Sequence, residues 1–244
     1  MAEGKSGLAK IAYYGGLVAV CATALGILGI QVGLLSPISG FYFFSFGCLV
    51  GGAFTFLMGL VALVTTRNSA DVDSRKRARI ATLTGAILLG VVVTAMIPGR
   101  EFPSINDITT NLADPPQFAS ADRVPAYADF DMNYPPEFVE IVAAGYPDLA
   151  TLELGVPPAV AYERSLETAR QMGWEISDMS PNQGRFDATD TTRIFRFVDD
   201  ITVRVRPLGN GSAVDIRSRS RVGRGDLGAN AIRIRQFTDG LGQP

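Results

Sequence analysis

The chain has no histidine among its 244 residues. The usual general base near neutral pH and the commonest metal ligand are therefore missing. Cysteine occurs only as Cys21 and Cys48, both in an apolar first third. Residues 100–244 thus hold no disulfide, no thiolate nucleophile and no cysteine metal site. Lysine is absent after Lys76, which removes lysine-activated serine from the same region. A disulfide-free domain of about 145 residues is still large enough to bury its own core. No catalytic residue, cofactor or metal is implied, and a non-enzymatic protein is expected.

Charge is missing from three long runs. Residues 11–35 carry none and have Gln31 as their one strongly polar side chain, 41–66 carry none, and 80–98 carry none. A helix crosses the apolar core of a bilayer with about 20 residues, so three transmembrane helices are expected in an anchor of residues 1–99. The apolar region of a signal peptide is shorter, about 7–15 residues, so the first run reads as a retained anchor. Lys5 and Lys10 precede the first span, and Arg67, Arg75, Lys76, Arg77 and Arg79 lie between the second and third. Positive flanks stay in the cytoplasm. This places the N-terminus inside and residues 100–244 outside, in the periplasm of a Gram-negative cell. Phe41, Tyr42, Phe43 and Phe44 would anchor the outer interface.

The spans contain no acid or base, and such residues usually mark ion and proton paths, so a transporter or channel is disfavoured. They are rich in glycine instead. Gly47 and Gly51 form a GxxxG pair, and Gly26, Gly29 and Gly33 line part of the first span. Small residues allow close helix approach. They serve either packing of the three spans on each other or docking of a membrane-protein partner.

Residues 100–136 are broken by Pro103, Pro115, Pro116, Pro125, Pro135 and Pro136 and read as a proline-rich acidic arm or tether. Asp107, Asp114, Asp122, Asp129 and Asp131 lack the spacing, central glycine and terminal glutamate of a calcium-binding hand.

Periodicity returns over residues 137–244. A short helix fits 136–145. A longer one fits 156–173, with Pro157 and Pro158 at its start and Gly173 as its stop. Strands are expected at 174–179, 185–189, 193–198, 200–206 and 213–220, with a turn at Pro181–Gly184 and a hairpin at Asn210-Gly211. Asp226 can cap a last helix with the stripe Leu227, Ala231, Ile234, Phe237 and Leu241. The fold class is a membrane-anchored α+β protein: three N-terminal transmembrane helices, then a soluble domain with an antiparallel sheet and flanking helices.

Arginine dominates the end of the chain, with ten arginines and five aspartates in residues 191–244. Strand alternation puts Arg204, Arg206, Arg217 and Arg219 on one face of a hairpin, with Arg221 and Arg224 in the loop that follows. These six are the candidate anion- or partner-binding residues, since guanidinium forks suit phosphate, sulfate or carboxylate and the GRGD loop precedes a helix start, where N–H groups bind anions. The ligand would be an anionic lipid or glycan, or an acidic protein surface. Nucleic acid is a poor fit to an acidic domain facing away from the cytoplasm. The competing reading is internal pairing. A two-residue Asn210-Gly211 turn sets Arg206 opposite Asp215, and a register two residues different sets Arg204 there. The acidic arm could also fold over the arginine face. Asp199 and Asp200 are adjacent and would point to opposite sides of a strand, which argues against a carboxylate-dependent hydrolase.

The strings ITVRV and DIRSRSRVGRGDLGANA, together with SINDITTNLADPP and MGWE, cover most of residues 103–240. On them the chain resembles the bacterial family catalogued as domain of unknown function 1499. The resemblance implies a bacterial envelope protein and carries no reaction, cofactor or catalytic residue. The expected role is an inner-membrane protein whose periplasmic domain binds an anionic envelope ligand or a protein partner. A structural or assembly subunit is the alternative.

Overall fold

A computed structural model of the chain describes residues 2–68, 70–97 and 101–242. The expected end of the third span at Pro98 and the domain boundary at 99–100 lie outside the described residues. The chain divides into two compact units, residues 1–98 with the tetrapeptide 193–196, and residues 99–192 with 197–244.

The first unit is helical. Helix α1 covers Ala2–Gln31. A second rod joins α2 (Pro37–Ser45), a π-helical turn (Phe46–Gly51) and α3 (Gly52–Thr66). Helix α4 covers Val72–Met96. Three helices, Ser6–Gln31, Pro37–Thr66 and Val72–Ala95, are long and apolar enough to cross a membrane. Local chemistry sets their starts. Ser36 accepts a hydrogen bond from the Ser39 amide just ahead of Pro37. The Asp71 carboxylate accepts from the Ser74 amide at 3.1 Å. That cap starts α4 eight residues before the uncharged run and takes the basic residues 75–79 into its first turns.

Several glycines of this unit face neighbouring spans, whereas Gly7, Gly33 and Gly90 meet nothing within 4 Å. A Cβ on Gly47 would stand 2.8 Å from the Ala19 carbonyl, one on Gly51 2.6 Å from the Ala19 Cβ, and one on Gly59 2.7 Å from the Thr82 amide. The GxxxG pair therefore serves packing within the bundle, the first of the two uses open to it.

The second unit is an antiparallel sheet with helices on one side. It contains β1 (Asp107–Thr109), α5 (Phe138–Gly145), β2 (Leu152–Leu154), α6 (Pro158–Gln171), β3 (Glu175–Ser180), β4 (Arg185–Thr191), β5 (Val198–Leu208), β6 (Gly211–Ser220) and α7 (Ala229–Gly242). The strand order is β1-β6-β5-β4-β3, and β2 also pairs with β6. Helix α6 ends in a Schellman motif. Gly173, at φ +81°, donates to Arg170 O and Trp174 donates to Ala169 O. Phe186, Ile201, Val203, Val214 and Ile216 line the apolar face and pack against Leu166 of α6 and Ile234 and Phe237 of α7. Trp174 stacks on Phe237 at 5.2 Å.

Three expectations change in detail. Leu208 pairs with Gly211, so the β5–β6 turn is Gly209-Asn210 rather than Asn210-Gly211. Gly209 has φ +55° and Asn210 does not have a positive φ, the arrangement in which glycine leads a type II′ hairpin. Residues 193–198 are not a strand of their own. β4 and β5 pair as far as Thr191 and Val198, so the intervening residues form the hairpin loop, with Arg196 at φ +54°. Leu227, also at φ +54°, precedes α7 and is exposed, so it leaves the apolar stripe.

The proline-rich segment is the largest difference. Instead of a free arm, residues 110–136 lie across the polar face of the sheet. Ala119, Val124 and Tyr127 are buried there and pack with Phe118 and Met132. Apart from a 3-10 turn at Pro125–Tyr127 the segment is irregular, and its backbone and side chains bond to the sheet's charged groups.

Candidate functional site

Alternation along β4, β5 and β6 sends one set of side chains to the apolar core and the other to the face beneath residues 110–136. The second set is a checkerboard of opposite charges. Asp200 lies opposite Arg219, Thr202 opposite Arg217, and Arg204 opposite Asp215. β1 brings Asp107 opposite Arg219.

Most of the six candidate arginines are bound within this face. Arg217 is fully buried, and its Nε and Nη2 donate to the two oxygens of Asp107 at 2.9 and 2.7 Å. Its guanidinium lies 4.9 Å from the Phe118 ring and 5.1 Å from the Tyr134 ring. Arg204 and Arg206 both donate to Asp215 Oδ2, at 2.9 and 3.1 Å, and Arg204 also pairs with Asp114 at 2.9 Å. Arg221 grips Asp200 through two bonds of 2.8 and 2.7 Å. Arg219 stands 4.0 Å from Asp107 and donates to the sulfur of Met132. Arg224 is exposed and forms no ion pair among the described residues. The α7 start beside it is closed from within, since Asp226 accepts from the Gly228 and Asn230 amides.

The aspartates respond to this setting in two ways. Burial raises the carboxyl groups of Asp107, Asp187 and Asp199 above their ordinary value, against the pull of their donors. Burial pushes Asp215 in the same direction, but Thr151, Arg204, Arg206 and Asn111 together donate enough to hold it below the ordinary range. Asp199 and Asp200 separate as their adjacency requires. Asp200 bonds to Arg221, and Asp199 to Arg233 of α7 at 2.6 Å. Arg233 also donates to Asp190, Ser218 and Asn230, which completes a buried polar cluster at the edge of the core.

Among the clefts on the polar face, one is lined by arginines, while another is lined by Asp107, Asp131, Tyr134 and Arg219. The arginine-lined cleft has a volume of about 400 Å³ and is walled by Arg123, Arg185, Arg204, Gln117, Gln183 and Phe118, with Ala119 and Ser120. No carboxylate lines it. Asp178 and Asp187 lie behind the arginines. Arg185 bridges them at 2.9 and 3.0 Å, and Arg123 reaches Asp178 at 2.7 Å. These two carboxylates converge, yet guanidinium groups occupy both and neither faces the cleft. The Nε of Arg123 and the side-chain amide of Gln183 carry no hydrogen bond among the described residues. The cleft is thus lined by donors, and its three guanidinium groups are held in place by their carboxylate partners.

Only Arg204 of the six expected residues reaches this cleft. Arg123 and Arg185 were missed. Arg123 belongs to a segment that looked unstructured, and Arg185 opens a strand with no second arginine beside it in sequence.

Residues 107–241 match the family described as Protein of unknown function (DUF1499). No curated protein matches the chain.

Proposed function

Since the chain belongs to the DUF1499 family, whose description names no reaction, we propose its function from its own geometry: a membrane-anchored, non-enzymatic binding protein whose domain takes an anionic envelope ligand in the Arg123–Arg185–Arg204 cleft. The basic flanks favour a cytoplasmic N-terminus and 67–79 loop, with the domain on the periplasmic side of the bacterial inner membrane. The observation that carries the reading is a cleft with three fixed guanidinium groups and no carboxylate in its walls. Arg206, Arg217, Arg219 and Arg221 act behind it. Arg217, Arg219 and Arg221 touch Pro116, Phe118, Phe130 and Met132 and so hold one wall against the sheet, while Arg206 stays on Asp215. A glycine-docked assembly subunit is less favoured, because Gly47 and Gly51 are spent within the bundle.

The test is calorimetric titration of the full-length protein in zwitterionic nanodiscs, with inorganic phosphate and with glucuronate as probes. Arg123 is 44% exposed, and Asp178, which loses one bond in Arg123→Gln, keeps its bond to Arg185. Removing one charge-assisted donor should weaken binding by roughly tenfold or more. Arg170→Gln, on the opposite side of the sheet, should leave it unchanged. No heat from either probe, or equal loss in both variants, would overturn the assignment.

A further inference from the structure

The basic end of the helical bundle carries five cations that form no ion pair among the described residues. Ala9, Ala62 and Ala78 pack together, which brings the start of α1, the end of α3 and the first turns of α4 to one level. Arg67 follows α3 there, and Arg75, Lys76, Arg77 and Arg79 occupy the first two turns of α4. Asp71 and Asp73 are the local acids, and Asp71 is engaged by Ser74 as the helix cap. Among the described residues none of the five cations forms an ion pair.

Their position adds to the imbalance. A helix N-terminus carries a partial positive charge, so cations in its first turns are repelled and an anion is drawn in. Arg75 is fixed as well as charged: it is half-buried, and its Nε is enclosed with no acceptor. Arg79 lies one turn further along the same face and is exposed. From Arg79 the stripe continues through Leu83 and Ile87, which are 63% and 66% exposed. Fixed cations at one end of an apolar strip match one ligand shape, a charged headgroup with acyl chains running along the helix.

We propose that this end of the bundle is a binding surface for an anionic phospholipid. Its phosphate lies between Arg75 and Arg79, and its chains lie along Leu83 and Ile87. Arg67, Lys76 and Arg77 supply attraction without a defined contact. This surface is separate from the cleft of the soluble domain, and neither assignment depends on the other.

The test is native mass spectrometry of the full-length protein released from nanodiscs of phosphatidylglycerol and phosphatidylcholine. The native protein should retain phosphatidylglycerol preferentially. Arg75→Gln with Arg79→Gln should lower that retention by on the order of tenfold. Arg67→Gln with Lys76→Gln removes the same charge and should lower it much less. Equal losses from the two pairs would mean a diffuse field and overturn the site, as would native protein with no preference between the lipids. Circular dichroism checks that the helices persist. If Arg75→Gln disrupts them, Arg79→Gln against Lys76→Gln makes the same comparison.

Discussion

Replacing Asp107 by alanine strands a cation inside the domain. Arg217 is fully buried, its partner carboxylate is 1% exposed, and the two share a pair of bonds. Removing one member of such a pair costs about 3–5 kcal/mol, because the remaining charge has neither water nor partner. The rings of Phe118 and Tyr134 stay in place but cannot replace a carboxylate. Set against a total stability of about 5–15 kcal/mol, this is a large share. For a unit of this size 1 kcal/mol corresponds to roughly 3–4 °C, so the melting temperature should fall by about 10–20 °C. The assay follows the fluorescence of Trp174, the chain's one tryptophan, which is 5% exposed and stacked in the core. Asp148→Ala is the control. Its pair with Arg235 has side chains 52% and 36% exposed, and such pairs are worth about 0–1 kcal/mol. Asp107→Leu combined with Arg217→Met should recover most of the loss, since apolar replacements of buried pairs are often neutral or better. If Asp107→Ala shifts the melt no more than Asp148→Ala, Arg217 is not held as a buried, paired cation.

Two further outcomes follow from the geometry. The Asp215 carboxyl lies below its ordinary value of 3.8 in the folded protein, so its contribution is present above that pH and is lost as the pH falls through the folded value. Asp215→Asn should therefore be destabilised at neutral pH, and its gap to the native protein should close below about pH 4 in denaturant titrations. In the bundle, a Cβ on Gly85 would stand 2.6 Å from the Phe56 Cα, whereas one on Gly90 meets nothing within 4 Å. Gly85→Ile should lower the dodecyl sulfate fraction at which the helices separate, and Gly90→Ile should leave it near native.

The sequence was most legible where one period or one local signal decided the outcome. Uncharged length marked the spans. Alternation marked β5 and β6, Pro158 and Gly173 bracketed α6, and Asp226 marked the start of α7. What it concealed was non-local. Arg217 alternates outward as an exposed residue would, and groups about 80 to 110 positions earlier, Asp107, Pro116, Phe118 and Tyr134, make it internal. The prolines around 115–136 leave only a 3-10 turn at Pro125–Tyr127, and of the two readings open for this acidic segment, tether or cover of the arginine face, the structure has the cover. Phe195 and Phe197 imitate a strand, but pairing of Thr191 with Val198 leaves them in the loop. The cleft was hidden for the same reason, since one of its walls is the segment that looked like a tether.

The sheet is thus enclosed on both sides by layers of opposite chemistry, and the two layers respond differently to temperature. Apolar burial weakens on cooling. The dehydration cost of ion pairs falls on warming. The layer of residues 110–136 meets the sheet through two guanidinium–carboxylate pairs, Arg123–Asp178 and Arg204–Asp114, and through hydrogen bonds such as Ala119 N–H to Asp187. These polar contacts gain relative to the apolar contacts of the helical layer as temperature rises. Cold acts on the helix-covered side, where Leu166, Ile234 and Phe237 meet the strands.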